Sequence, residues 1–356
     1  MGCSASLIGW EEPGAEDSDL VTSLLDIQRF FFFRFEVFCL VIRAFRNIPS
    51  SHRQMSISAG NRLRHLFRSG RAIQLPGAFN GLSARMAADT GFQGLYVSGG
   101  AISAASGVPD IGLCSLDYFC DRIKEVTTVS GLPVIADADT GFGEAEMVSR
   151  TVKEYMHAGA GGLHIEDQTF PKRCGHLDGK ELVSIEHMVE KISRGKDAAG
   201  SSGFLLCART DARGVEGFDR AVERAKAYVT AGADMIFPEG LKDLEEFRKF
   251  AEEMSKMGDL GLSTQGGPFL LANMTEFGKT DHIHIADFET AGYSAVIYPV
   301  STLRVAMKAV ENMLQELKSA GMLAGQEKHM LTRKELYKAL HYTPGVEWQY
   351  PSQSRE

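Results

Sequence analysis

The chain has 356 residues, a formal net charge of -8, 44% hydrophobic and 24% charged residues. That is the balance of a soluble globular protein with one large domain or two small ones. It argues against a nucleic-acid partner, which needs a basic face, and it requires any anionic small substrate to meet a local cluster of cations or a metal.

The six cysteines (Cys3, Cys39, Cys114, Cys120, Cys174 and Cys207) form no CxxC pair and no Cys/His cluster of zinc spacing. A chain of this size buries a core without covalent staples, so the reading is a reduced, intracellular protein. Residues 1–55 form an extension outside the core domain, which is expected over 56–356. Its opening MGCSAS matches the myristoylation pattern at Gly2, with Cys3 open to palmitoylation, although chance matches to so short a pattern are common. The apolar run FFFRFEVFCLVIRAF (31–45) is too short, and too broken by Arg34, Glu36 and Arg43, to span a membrane. It reads as an amphipathic or targeting segment, or as sequence ahead of a true start at Met55. The Ser- and Arg-rich stretch 55–71 reads equally as a mitochondrial transit peptide or as a basic first helix.

From residue 72 short apolar runs alternate with helical stretches. The runs are 72–78, 94–100, 133–139, 161–167, 204–211, 233–239, 268–274 and 293–299. Seven follow a glycine stop: Gly91, Gly131, Gly159, Gly203, Gly232, Gly267 and Gly292. Nearly continuous apolar runs suit strands buried on both faces of a parallel sheet, and eight such units predict a (β/α)8 TIM barrel. A Rossmann domain ranks below, because no GxGxxG follows the first run. Helices are predicted over 184–199, 216–231 and 301–320, with another near 331–341 beyond the barrel. The segment 258–267 joins a helix to a strand and belongs at the barrel bottom.

A barrel of this kind carries its chemistry at the C-terminal strand ends. There the chain places Ser98, Asp137, Asp139, His164, Glu166, Arg209, Asp211, Glu239, Asn273 and Thr275. Asp137 and Asp139 lie two apart on a strand, hence on one face, and two such carboxylates call for a cation, Mg²⁺ or Mn²⁺, with Glu166 completing the shell. The competing reading is that one aspartate caps the following helix. In KRCGH (172–176), Lys172, Arg173 and His176 flank Cys174 and favour a reactive thiol, while Gly175 permits close backbone approach to a ligand. The other cysteines read as small apolar fillers. Arg209, Arg304 and Arg333 are candidate carboxylate clamps, although the residues alone favour a surface charge for Arg304 and Arg333.

YVSGG, DADTGFG, GLHIEDQ, KRCGH, ARTDA, FPE, NMTEFGKT and LTRKELY, in order over about residues 58–342, resemble the isocitrate lyase and phosphoenolpyruvate mutase superfamily and look closest to its methylisocitrate lyases. The resemblance implies a barrel whose eighth helix is exchanged between subunits of a homotetramer, and a Mg²⁺-dependent retro-aldol cleavage of 2-methylisocitrate to pyruvate and succinate. Eukaryotic relatives use that reaction in propionate catabolism (the methylcitrate cycle), which implies residence in the mitochondrial matrix or the cytoplasm. It further implies that Asp137 and Asp139 hold the metal with Glu166 in the outer shell, and that Ser98, Gly99 and Gly100 bind a substrate carboxylate. Cys174 and Gly175 would face the substrate. Arg209, Glu239, Asn273, Thr275, Arg304 and Arg333 would complete the pocket, Met274 lying between two of these positions, and Tyr96 would stand near the reacting centre. The substrate alternatives are 2,3-dimethylmalate or oxaloacetate, then phosphonate chemistry, then a catalytically silent dicarboxylate-binding barrel.

Overall fold

The computed structural model describes residues 57–173, 175 and 179–349. The expectations attached to residues 1–55 and to Cys174 and His176 lie outside those residues.

All eight expected strands form: β1 (Ile73–Pro76), β2 (Leu95–Val97), β3 (Val134–Asp137), β4 (Gly162–Glu166), β5 (Leu205–Thr210), β6 (Met235–Pro238), β7 (Phe269–Asn273) and β8 (Ala295–Tyr298). Each pairs in parallel with its sequence neighbour from β2 to β8, and β8 returns to β1. The ring closes through one bridge between Gly77 and Tyr96, backed by the Ala78 N–H donating to the Tyr96 carbonyl at 2.9 Å. A side chain at Gly77 would run into the Pro299 carbonyl, so closure at this point needs a glycine.

Strand alternation splits the core in two. Leu75, Ile135, Cys207, Met235, Phe269 and Leu271 fill the barrel interior, and a larger apolar layer joins the outer strand faces to the helices. Cys207 is thus the apolar filler expected of it. The floor is closed by α1 (Ala59–Phe67), which inserts Leu63 and Phe67; the Phe67 ring meets Phe269 edge-on at 5.6 Å. Arg64 fastens this helix by donating to the Gly203 carbonyl at 2.8 Å and pairing with Asp234 at 2.8 Å. From residue 57 onward the basic stretch is therefore a structural first helix, and cleavage beyond it would uncover the barrel floor.

The remaining helices are α2 (Gly81–Thr90), α3 (Gly99–Ala105), α4 (Leu116–Ser130), α5 (Ala145–His157), α6 (Ile185–Ala199), α7 (Ala212–Val215), α8 (Phe218–Thr230), α9 (Leu244–Ser255), α10 (Ile285–Thr290), α11 (Ser301–Ala320) and α12 (Arg333–Ala339). All seven of these glycines have positive φ, from 61° at Gly131 to 109° at Gly232, a region costly to residues with a Cβ, but Gly203 and Gly267 do not end helices, because α6 already stops at Gly200 and α9 at Lys256. The segment 258–267 lies between α9 and β7, at the bottom as expected, where Arg68 donates to the Gly261 carbonyl at 2.8 Å. No described helix is long and apolar enough to cross a membrane.

The eighth helix departs from the pattern of the others. Along the 20 residues of α11 only Leu303 is buried, while Val305, Met307, Val310, Leu314 and Leu317 are exposed. Beside its first turn an apolar groove of about 720 Å³ runs along α2, lined by Phe79, Leu82, Met86 and Phe92. The apolar stripe of this amphipathic helix thus has no cover among the described residues, and the apolar groove lies next to it.

Candidate active site

Asp137 ends β3 and is 4% exposed. Its Oδ2 accepts the Gly99 N–H at 3.0 Å and its Oδ1 accepts the Asp139 N–H at 3.0 Å. Burial alone would favour the neutral acid, but His164, Lys172 and Arg209 together hold this carboxyl below the usual range. Asp139 corrects the strand-face argument. The strand stops at Asp137, and Asp139 has a left-handed backbone with φ 46°. The two carboxylates converge because the loop turns back and Gly99 fits between them. A Cβ on Gly99 would stand 2.8 Å from Asp137 Oδ2 and 3.2 Å from Asp139 Oδ1. Neither aspartate caps the next helix, whose cap position is Glu144.

Burial, reinforced by Asp137 and opposed by Lys172, pushes the Asp139 carboxyl up to about 6. Lys172 is 3% exposed, with Nζ 2.6 Å from Asp139 Oδ1 and 2.5 Å from Asp110 Oδ1. Its ammonium pairs with these two aspartates, while the tuning of Cys174 expected of it falls on a residue outside the described ones.

On the next strands Arg209 occupies the centre of a carboxylate cluster. Its Nε and Nη2 bond Asp211 at 3.0 and 3.2 Å, its Nη1 lies 3.2 Å from Glu166, and its Nη2 lies 3.6 Å from Glu239. Phe237 packs beneath the guanidinium, 5.2 Å from ring centroid to Cζ. Asp211 sits against burial but is held down to about 2 by Arg209 and Lys180, so it is ionised at any working pH. Glu166 is 1% exposed, and burial raises it well above the usual carboxylate range despite Arg209. Asn273 donates from Nδ2 to Glu239 at 3.1 Å.

The Tyr96 hydroxyl lies 2.7 Å from His164 Nε2. Burial lowers His164 to about 4 and raises the phenol well above its ordinary value, so both groups are neutral at pH 7.

These residues surround a cavity of about 300 Å³ at the C-terminal strand ends, and Tyr96, Ser98, Gly100, Asp137, Gly175, Arg209, Glu239, Asn273, Thr275 and Arg304 line it as expected. Three placements differ, and Arg304 joins the lining only at its edge. Gly99 stands behind the lining, because its N–H serves Asp137. Met274 is 5% exposed and turned into the core, with its N–H on the Ile297 carbonyl. Arg304 reaches the rim, where it donates to the Glu276 carbonyl at 2.5 Å and stacks over Phe277. Arg333 opens α12, which docks on the outside of α2 through Arg85 to the Leu340 carbonyl and His341 to Asp89, and it is exposed there rather than in the cavity. Gly175 is needed as glycine: a Cβ would overlap the Arg209 guanidinium and stand 2.8 Å from Glu239 Cγ.

Sequence reasoning assigned no role to Asp110 or Lys180 and only a strand-end position to His164 and Asp211. The last two carried a usable signal, since both stand in the motifs GLHIEDQ and ARTDA. Asp110 and Lys180 come from loops, where no periodicity marks a side chain as buried.

The donor set suits a hard divalent cation. Asp137, Asp139 and Glu166 offer only oxygen, and neither Glu166 oxygen receives a well-directed hydrogen bond although both are buried. Among the described residues no group of three or more His, Cys, Asp or Glu side chains is placed to hold a metal ion by itself. That is compatible with Mg²⁺, which usually keeps several waters and takes one or two carboxylates.

A family profile described as phosphoenolpyruvate phosphomutase matches residues 63–318. The chain is 49% identical over 269 residues to a probable 2-methylisocitrate lyase 1 of Corynebacterium glutamicum, covering 76% of this chain and 85% of that one. It is 47% identical to the 2-methylisocitrate lyase of Aeropyrum pernix, covering 79% and 86%. Among solved structures it resembles a 2,3-dimethylmalate lyase, with TM-score 0.72, 35% identity and coverage of 80% and 91%. A phosphonopyruvate hydrolase complexed with oxalate and Mg²⁺ matches with TM-score 0.68, 28% identity and coverage of 80% and 95%. The chain belongs to the phosphoenolpyruvate mutase/isocitrate lyase superfamily.

Proposed function

We propose that the chain is a 2-methylisocitrate lyase, splitting 2-methylisocitrate into pyruvate and succinate. One observation carries the reading: a small cavity is lined both by carboxylates with a fixed guanidinium and by apolar Phe237, Ile297 and Pro299. The polar lining suits a polycarboxylate. The apolar lining suits a methyl group, worth about 0.8 kcal/mol when buried.

Asp137 and Asp139 would hold Mg²⁺ or Mn²⁺, with Glu166 behind them. When bound, the ion lowers the substrate hydroxyl pKa and stabilises the forming carbonyl oxygen. Arg209 needs little reorganisation to receive developing negative charge, because Asp211 already fixes its fork. We place Tyr96, held at 2.7 Å by the neutral His164 ring, beside the hydroxyl that loses its proton. As the C–C bond breaks, its electron pair stays on the succinate fragment, and we assign the proton that quenches this carbanion to the Cys174 thiol. Gly175 leaves room for substrate beside Arg209 and Glu239.

We further infer a homotetramer with α11 exchanged between neighbours. The exposed apolar stripe of α11 and the groove beside α2 support this. Residence in the mitochondrial matrix or the cytoplasm is inferred from the role of eukaryotic relatives.

The test is turnover of 2-methylisocitrate beside isocitrate, 2,3-dimethylmalate and oxaloacetate, with and without EDTA. The expected result is EDTA-sensitive release of pyruvate and succinate from the first, reduced at least 100-fold in Cys174→Ala. A preference for dimethylmalate or oxaloacetate would replace the substrate, and full turnover by Cys174→Ala would remove the thiol from the mechanism.

A further inference from the structure

Lys180 contacts neither the cavity nor the carboxylate pair, yet its side chain is only 6% exposed. Its ammonium makes two contacts from one position. It donates to Asp211 Oδ1 at 2.7 Å and to the backbone carbonyl of Gly175. Asp211 uses the same carboxylate to clamp the Arg209 fork. Asp211 is itself anchored from below, with its N–H on Asp167 Oδ1 at 2.9 Å. Asp167 also accepts from Thr210 and Tyr228, each at 2.8 Å, and lies 3.4 Å from Arg224. The base of this arrangement is therefore a saturated buried network, and its upper end is a loop backbone.

We propose that Lys180 is a positioning residue that ties the Gly175 backbone to the Arg209–Asp211 pair, so that the two sides of the substrate cavity are set as one unit. The contact at Gly175 has no room to spare, because even a Cβ there would collide with Arg209. A lysine at 180 supplies both donors from one charge. Without it the Gly175 carbonyl loses its bond and Asp211 keeps only Arg209. The carboxylate stays paired and buried, so the barrel itself should hold. What is lost is the relation between the loop and the guanidinium, and misplacement by about 1 Å can cost about 100-fold in rate.

The proposal rests on the site being catalytic, and the experiment separates the two questions. Wild-type turnover on the substrate panel comes first, and the best substrate is used thereafter. In Lys180→Met the melting temperature should stay within a few degrees of wild type, kcat should fall about 100-fold, and KM should change less than about threefold. Lys180→Arg, which keeps the charge and two or more donors, should restore kcat to within about tenfold of wild type. Independently of any substrate, amide hydrogen exchange in peptides containing Gly175 should quicken in Lys180→Met while exchange in β3 and β6 stays unchanged. Unaltered exchange at Gly175, kcat within threefold of wild type, or equal losses of kcat and stability in both variants would overturn the assignment. A wild type inactive on every substrate would count against the functional reading alone, with the exchange result still deciding for or against Lys180.

Discussion

Gly99→Ala isolates the steric logic of the carboxylate pair. Gly99 is the first residue of α3 and has no positive φ, so alanine is allowed by the backbone. Intrinsic propensity favours alanine over glycine by up to about 1 kcal/mol within a helix, and by less at an end. Against this, the new Cβ would stand 2.8 Å from Asp137 Oδ2 and 3.2 Å from Asp139 Oδ1. A comfortable contact is roughly 3.5 Å, so the Asp137 carboxylate must retreat by more than half an ångström. It would strain or lose its bond from the Gly99 N–H, now 3.0 Å. Overpacking of this kind costs about 1–3 kcal/mol, which outweighs the propensity gain. Because the displaced groups are the expected cation ligands, function should suffer more than stability. We expect kcat/KM for 2-methylisocitrate to fall about 100-fold, with the Mg²⁺ concentration for half-activation shifted upward and the melting temperature changed by only a few degrees. Steady-state kinetics over a Mg²⁺ series and a thermal melt measure both. An unchanged Mg²⁺ midpoint with kcat/KM within twofold of wild type would refute the assignment of this carboxylate pair.

Two further outcomes follow from the same geometry. The Asp211 carboxyl is depressed from 3.8 to about 2, so its contribution to stability is present in full above pH 3.8 and is lost as the pH falls through about 2. At 1.36 kcal/mol per pH unit this is on the order of 2 kcal/mol. Denaturant unfolding of wild type and Asp211→Asn between pH 5 and pH 2 should show this slope in wild type and its loss in the variant; parallel curves would exclude the pairing as its source. At the opposite end of the barrel, Phe67 is 2% exposed against Phe269. Phe67→Ala should destabilise the protein by about 3–5 kcal/mol in denaturant unfolding, whereas a cost under about 1 kcal/mol would show that α1 is a dispensable cap.

The barrel was legible along the chain because its signals are local. An apolar run of strand length, a glycine able to end a helix, and a polar residue at the last strand position are all properties of neighbours in sequence, and all eight strands and five of the seven glycine stops are where those signals put them, whereas Gly203 and Gly267 lie in the connections that follow α6 and α9. The membership of the site was legible for the same reason: the strand ends of a barrel share one rim, so polar residues there must meet. Other features depended on contacts between residues far apart. Asp139 faces Asp137 through a left-handed turn rather than by strand alternation. The charge of Lys172 goes to Asp110, 62 positions earlier, because both loops close over the same carboxylate. Gly99 and Arg333 leave the cavity because an N–H on Asp137 and the docking of α12 on α2 place them elsewhere. The sequence by itself determined which elements form and which strand ends carry chemistry, since hydrophobic period and backbone preference act over a few residues. Only the tertiary structure decided which charge pairs with which, because burial removes water as a partner and leaves each ion to whatever the fold brings within about 3 Å.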